Sequence, residues 1–418
     1  MRNLLRPSGW ITGREPLIAC ILAALVALTI SVLVIRSGDT VRSLDEPDFM
    51  MIAETLVETG TFAIEPDKPT AYRAPGLVFL IAPVVALGAG LMEARLTGGV
   101  LVGLGMLLLF DLVRRHAGAL SGLLSVTMVM TWPVVIYTAT TLYPQTLAAL
   151  LLVLTLWLLD RLRDGDATGL WPAFWGGLAF GAFILTIPVT LLLVPVFLGW
   201  IVALSRRWLV SVLIFCLVSG SVVGSWTLRN WLAFDAFVPV ATSSGFNLLA
   251  GNSPDTRWNT SLDVRFPEQV YTDITGKDEV ERNKIMTRAA LDRIEADPGR
   301  FVALWAAKFV HWFHFSNRLL SDEVLEDGAS SVPVDTRETI LLLAWSILIV
   351  GPLLARIAMW RRHPPSKLEI LFIILWIAGG AAYALFFTRI RFRLPFDWLM
   401  ISANAVFLSG LINARMAR

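Results

Sequence analysis

Three groups of side chains in this chain have the types and spacing to do chemistry. The first is Ser43-Leu44-Asp45-Glu46-Pro47-Asp48, which sets Asp45, Glu46 and Asp48 close together just after a long apolar run. A positioned carboxylate can take a proton from a hydroxyl as that hydroxyl attacks. Acids this close could also hold a divalent cation, or serve as first-turn acids of a helix expected over 49–59. The second group is dispersed: Tyr72-Arg73-Ala74-Pro75-Gly76, then Trp226-Thr227-Leu228-Arg229-Asn230, then Gly245-Phe246-Asn247-Leu248 and Gly251-Asn252. The third is Thr388-Arg389-Ile390-Arg391-Phe392-Arg393-Leu394-Pro395, with no acid after it until Asp397. In an extended segment Arg389, Arg391 and Arg393 share one face. Guanidinium groups grip phosphate through planar sets of donors. An anionic headgroup or lipid-linked phosphate would supply the missing countercharge; acids of the neighbouring loops are the alternative.

The surroundings of these groups set the medium. The chain has 418 residues, 56% hydrophobic and 16% charged, with a mean hydropathy of +0.67. Soluble domains carry about 25% charged residues. A soluble core of this size could not hide so much apolar surface, which excludes a soluble enzyme, a nucleic-acid-binding domain and a disordered scaffold. The 16 tryptophans suit interfacial belts, and a net charge of +2 offers no bulk attraction to an acidic partner. Cys20 and Cys216 fall in apolar runs, so neither a disulfide framework nor a cysteine metal site is expected. The run from Leu17 to Ile35 is too long for a signal-peptide core and reads as a retained span.

Spans of about 20 residues cross a hydrocarbon core. Ten runs qualify: 17–36, 96–113, 117–136, 144–160, 170–187, 189–205, 208–227, 338–358, 368–388 and 394–412. Two more stretches, 75–92 and 300–315, are ambiguous. If neither crosses, Arg114-Arg115, Arg206-Arg207 and Arg361-Arg362 all fall on the N-terminal side, as the positive-inside rule requires. The expectation is an all-α polytopic membrane protein of about 10 spans (10–12), with both termini cytoplasmic. It forms a single membrane domain over 1–418 with no separate soluble domain. Extracytoplasmic loops at 37–95 and 228–337 carry the polar residues and interfacial helices. A charge-paired helix is expected over 279–297, stopped by Asp297-Pro298. His311 and His314 could join Asp322 or Glu323 on a metal, but HWFHF reads better as an interfacial aromatic helix. Gly176, Gly177, Gly181, Gly379 and Gly380 read as close helix packing, and Asp111 as a local partner of Arg114-Arg115.

The order of these pieces resembles the GT-C superfamily of membrane glycosyltransferases. The nearest likeness is to bacterial relatives of the dolichyl-phosphate-mannose protein mannosyltransferases and of the lipid A aminoarabinose transferase. That family has Asp-Glu-x-x-aromatic-x-x-Ile-Ala after its first span, here Asp45 to Ala53. It then has Tyr-Arg-x-Pro-Gly (Tyr72 to Gly76), Trp-x-x-Arg-Asn with Gly-aromatic-Asn-Leu and Gly-Asn (Trp226 to Asn252), and Arg-aromatic-Arg-x-Pro (Arg391 to Pro395). The resemblance implies a GT-C-like bundle and inverting transfer of a sugar from a polyprenyl-phosphate donor to a lipid, glycan or protein acceptor. The transfer would take place on the extracytoplasmic face. Asp45 matches the family's catalytic acid, with Glu46 and Asp48 beside it. Arg391 and Arg393 match residues near the donor phosphate, Arg73 and Arg229 are further phosphate candidates, and Tyr72, Asn247 and Asn252 would line the cavity. Membrane lipids are expected partners and nucleic acid is not; no particular cofactor is implied, and a divalent metal or a metal-free base fits the acids equally well. Alanine, leucine, valine and arginine usage fits a bacterial inner membrane. Two positions depart from the pattern: Gln145 follows Pro144 where many relatives carry an acid, and Ile187 precedes Pro188 where many carry arginine. They keep a second reading open, a catalytically silent partner subunit. A lipid-linked glycan transporter would instead place charges near the midplane and show an internal repeat.

Overall fold

The structure is a computed structural model describing residues 13–163, 169–259, 264–315 and 334–416. It is a bundle of helices that satisfy their own backbone hydrogen bonds, as a chain in lipid must. The first half runs α1 (Glu15–Ser37), α2 (Glu46–Thr59), a small hairpin of β1 (Ala63–Glu65) and β2 (Lys68–Pro69), α3 (Pro75–Val85) and α4 (Leu91–Ala117). It continues with α5 (Ala119–Met130), α6 (Pro133–Ala139), α7 (Pro144–Asp160) and α8 (Trp171–Thr186). After a 3-10 stretch (Pro188–Leu193) come α9 (Val194–Leu204) and α10 (Trp208–Phe234). The second loop holds α11 (Ser244–Asn252), α12 (Glu268–Ile274), α13 (Glu279–Ala296) and α14 (Pro298–Trp312). Then follow α15 (Val334–Trp345), a π turn (Ser346–Val350), α16 (Gly351–Met359), α17 (Lys367–Tyr383) and α18 (Ile390–Met416).

Among the described residues, six helices are long and apolar enough to cross a membrane: Glu15–Ser37, Leu91–Ala117, Pro144–Arg163, Trp208–Phe234, Asp335–Met359 and Ile390–Met416. The expected run 117–136 becomes α5 and α6, bent by 64° into a seventh candidate. The other expected spans are helical but shorter: α8, the 3-10 stretch with α9, and α17. The stretch 75–92 forms only α3, whose 11 residues reach about 16 Å and fall short of the hydrocarbon thickness.

Four breaks share one cause. Ala74, Trp132, Tyr143 and Ile187 each precede a proline and are extended, because the proline ring disfavours the helical conformation in the residue before it. Each proline then opens a helical stretch, where its missing N–H costs nothing. Three of the four breaks, at 74, 143 and 187, border the cavity described below.

Packing is close where small residues permit. α4 packs on α1, α5 and α7; α8 lies between α7 and α10; α18 packs on α5 and α17. A Cβ on Gly177 or Gly181 would press on α10, one on Gly379 on Phe396, and one on Gly380 on Trp312, in line with the reading of these glycines. Leu17, Ile21, Leu25 and Leu28 of α1 and Leu209, Leu213 and Leu217 of α10 are exposed on outward stripes, the faces that lipid would cover. Cys20 and Cys216 are exposed and unpaired.

One expectation is corrected. Arg391 and Arg393 lie in the first turns of α18 and not in an extended segment. The i,i+4 pair of Arg393 with Asp397, at 2.9 Å, fits only a helix. Two residues along a helix turn about 200°, so the arginines point to opposite sides.

Candidate active site

The site forms where the turn after α1, the segment before α3, the start of α7 and the start of α18 meet. Glu46 builds the turn. It is fully buried, taking Arg95 Nε at 2.9 Å and Nη2 at 2.7 Å together with the backbone N–H groups of Arg42, Ser43 and Leu142. Arg95, from α4, also donates to the carbonyls of Gly38 and Thr40. With Glu46 clamped inward, its neighbour Asp45 is left on the open side of the turn, about one quarter exposed.

Arg73 is the hub of that open side. It donates to Asp48 through Nε at 3.0 Å and Nη2 at 2.7 Å, and its Nη2 is 2.8 Å from Asp45. Its guanidinium also lies against the rings of Phe49 and Tyr72. Burial works to lower the Arg73 pKa, but Asp45 and Asp48 outweigh it and the net shift is upward, so Arg73 stays charged. The Tyr72 hydroxyl is raised, chiefly by burial and against the pull of Arg73, so it stays protonated. From the other side Arg391 places Nη2 3.4 Å from Asp45, donates Nη1 to the Tyr143 hydroxyl and covers the Tyr143 ring at 4.2 Å. The Nε of Arg391 is buried without a hydrogen-bond partner.

Beside this cluster lies a cavity of about 220 Å³, lined by Arg73, Ala74, Pro144, Gln145, Thr186, Ile187, Asn247 and the rings of Phe49, Tyr383, Phe386, Phe387 and Phe392, among others. Both departures named above, Gln145 and Ile187, stand in its wall. Close approach shapes it: a Cβ on Gly76 would overlap Thr186, and one on Gly251 would overlap the Phe386 carbonyl. This accounts for the glycines of two of the motifs.

Asp45, Asp48, Tyr72, Arg73 and Arg391 are thus brought together, and Asn247 lines the cavity. The other sequence candidates are placed elsewhere. Arg229 donates to the carbonyls of Thr70 and Phe62, both at 2.8 Å, and sits over Trp226, tying the hairpin to α10. Arg393 is fully buried, paired with Asp397, donating to the Trp312 carbonyl and lying over Trp345. Asn252 is buried and donates to the carbonyls of Leu248 and Leu385. Among the described residues no cluster of three metal-ligating side chains occurs. The rings of His311 and His314 stack on each other and His311 packs against Trp258, while Asp322 and Glu323 lie outside the described residues.

Sequence reasoning missed Arg95, Tyr143 and Lys308. An arginine at the very edge of the apolar run 96–113 was a signal for Arg95, since a charge so close to a span needs a partner. Lys308 is buried on α14, and its Nζ donates to the carbonyls of Gly251 at 3.0 Å and Phe386 at 2.7 Å, tying the second loop to the cavity wall. Burial, with Arg300 adding to it, pushes its pKa down to about 7.

Residues 67–226 match the family described as dolichyl-phosphate-mannose-protein mannosyltransferase. No curated protein sequence matches the chain. Among solved structures, the oligosaccharyltransferase AglB from Archaeoglobus fulgidus, in complex with an inhibitory peptide and a dolichol-phosphate, aligns with 97% of this chain at 15% identity and a TM-score of 0.56. Its apo form aligns at 13% identity and a TM-score of 0.58. The chain spans about half the length of that protein, 51% and 52% in the two forms. ArnT from Cupriavidus metallidurans bound to undecaprenyl phosphate aligns with 93% of this chain and 78% of its own, at 14% identity and a TM-score of 0.43. Residues 67–226 are thus similar to the dolichyl-phosphate-mannose-protein mannosyltransferase family, and the chain shares its fold with the length it spans of the archaeal oligosaccharyltransferase.

Proposed function

We propose that this protein transfers a sugar, with inversion, from a polyprenyl-phosphate donor to an acceptor hydroxyl or amide on the extracytoplasmic face of a bacterial inner membrane. Asp45 is the general base. The observation that carries this reading is the bridge of Asp45 between Arg73 and Arg391 at the edge of an aromatic-walled cavity. Acceptor attack on the anomeric carbon breaks its bond to the phosphate oxygen, and the polyprenyl phosphate leaves as a monoester anion. Asp45 takes the acceptor's proton. Fixed cations near the leaving phosphate lower the barrier because negative charge grows there.

The two arginines divide the work. Arg73 holds both Asp45 and Asp48 at short distance and orients the base. Arg391 touches Asp45 only at 3.4 Å and has an unpartnered Nε, so it is the one to turn to the phosphate. The dolichol-phosphate held by the archaeal protein of the same fold supports a lipid-phosphate ligand. Placement of the site on the outer face rests on the arginine pairs 114–115, 206–207 and 361–362, read as the cytoplasmic side.

The test is sugar transfer from a panel of radiolabelled polyprenyl-phosphate sugars by purified protein and its Asp45→Asn variant, with membrane lipids as acceptors. Turnover lost in the folded variant supports the reading. Absence of any binding of the lipid-phosphate sugars sinks it.

A further inference from the structure

Gln145 stands in the first turn of α7, is 5% exposed, lines the cavity and leaves its Oε1 without a hydrogen-bond partner. A buried acceptor left unpaired is costly, and a ligand donor in the cavity would relieve it. The charge of the cavity wall points the same way. Among the described residues that line it, Arg73 is the one charged side chain, and the polar remainder is neutral: Gln145, Thr186, Ser243, Ser244, Asn247 and Tyr383. The nearby acids Asp45 and Asp48 are both engaged by Arg73. A cationic amino group entering this space would meet a guanidinium and no free carboxylate, which disfavours it.

Resting on the function proposed above, we propose that the donor sugar is neutral and hydroxyl-bearing, and that Gln145 is the specificity-determining residue, its carboxamide oxygen accepting a hydrogen bond from a sugar hydroxyl. The carboxamide accepts without adding charge. A carboxylate at the same place would pair with an amino sugar.

The experiment measures binding to the full chain in nanodiscs of five probes on one undecaprenyl chain. These are undecaprenyl phosphate itself, its mannose, glucose and galactose conjugates, and a 4-amino-4-deoxypentose conjugate. Wild type, Gln145→Leu and Gln145→Glu are compared. The wild type is expected to bind at least one neutral conjugate about tenfold more tightly than the amino sugar. Gln145→Leu should lose about tenfold on that neutral conjugate, the order of one hydrogen bond, and keep its affinity for bare undecaprenyl phosphate. Gln145→Glu should shift preference toward the amino sugar. Equal binding of neutral and amino conjugates by the wild type, or no effect of either substitution on sugar preference, overturns the inference while bare-lipid binding leaves the transferase reading standing. No binding of bare undecaprenyl phosphate or of any conjugate by the wild type overturns both.

Discussion

Asp45 and Arg391 are 346 residues apart in the chain and meet at 3.4 Å in the folded protein. One follows the first membrane helix and the other opens the last. The contact closes only when both ends of the bundle have packed, and Arg73 holds Asp45 from the other side at 2.8 Å. The site is therefore a product of assembly, with each segment bringing one charge.

Asp45→Asn keeps the size of the side chain and removes its basicity. Turnover is expected to fall by about 10²–10⁴-fold, the usual worth of a general base, with binding of undecaprenyl phosphate retained. Single-turnover kinetics alongside a binding isotherm separate the two. A variant transferring sugar at the wild-type rate would remove Asp45 from the mechanism.

Arg391→Lys and Arg73→Lys should behave differently. Losing the guanidinium fork at 391 is expected to weaken undecaprenyl phosphate binding by about tenfold or more, the scale of a charge-assisted hydrogen bond. At 73 the larger loss is expected in kcat, because Asp45 and Asp48 lose their common clamp. Titration of each variant with the bare lipid phosphate, followed by turnover at saturation, reads the split. Identical losses in both variants would contradict the division of labour.

Glu46→Gln leaves Arg95 buried with its charge uncompensated. Breaking such a pair costs about 3–5 kcal/mol, so a clear drop in thermal stability in detergent is expected. Replacing both partners, as in Glu46→Leu with Arg95→Met, should recover only part of that loss, because the backbone N–H groups of Arg42, Ser43 and Leu142 and the carbonyls of Gly38 and Thr40 also lose their partners. A single variant as stable as the wild type would show that the turn holding Asp45 does not depend on this pair.

Lys308 gives a pH signature. Its folded pKa of about 7 lies below the ordinary value of 10.5, so between these values the unfolded chain binds the extra proton. Stability from this group therefore rises with pH through that window, with a limiting slope of about 1.4 kcal/mol per pH unit, and is lost as pH falls toward 7. Melting temperatures of wild type and Lys308→Met, taken from about pH 7 to about pH 10, should differ in slope, the variant being flatter. Parallel curves would mean that Lys308 titrates normally.

Much of the fold is legible in the residues. Long apolar runs must be helical in lipid, because a backbone there has no water to bond to. The helix breaks at the X-Pro junctions 74, 132, 143 and 187 follow from local sterics, but the span expected over 117–136 runs straight through Pro133. Charge patterning gives a helix over 279–297 and the structure has α13 at Glu279–Ala296, stopped at Asp297-Pro298 as expected. The number of full-length spans was less legible, since composition does not show that Pro133 bends one run or that α8 and α9 stop short.

Residue type and chain order by themselves determined that this is a helical membrane protein and that Asp45, Arg73 and Arg391 are chemically notable. They did not determine which members of each cluster meet. Asp45 and Glu46 are adjacent and chemically alike, yet one faces Arg73 and the other is locked on Arg95. Arg391 and Arg393 would share a face on a strand, and only the helix of α18 sends one to Asp45 and the other to Asp397. The partners that decide these cases come from other helices, far away in the chain. Side-chain direction follows backbone geometry and the cost of leaving a buried charge unpaired, and tertiary packing sets both.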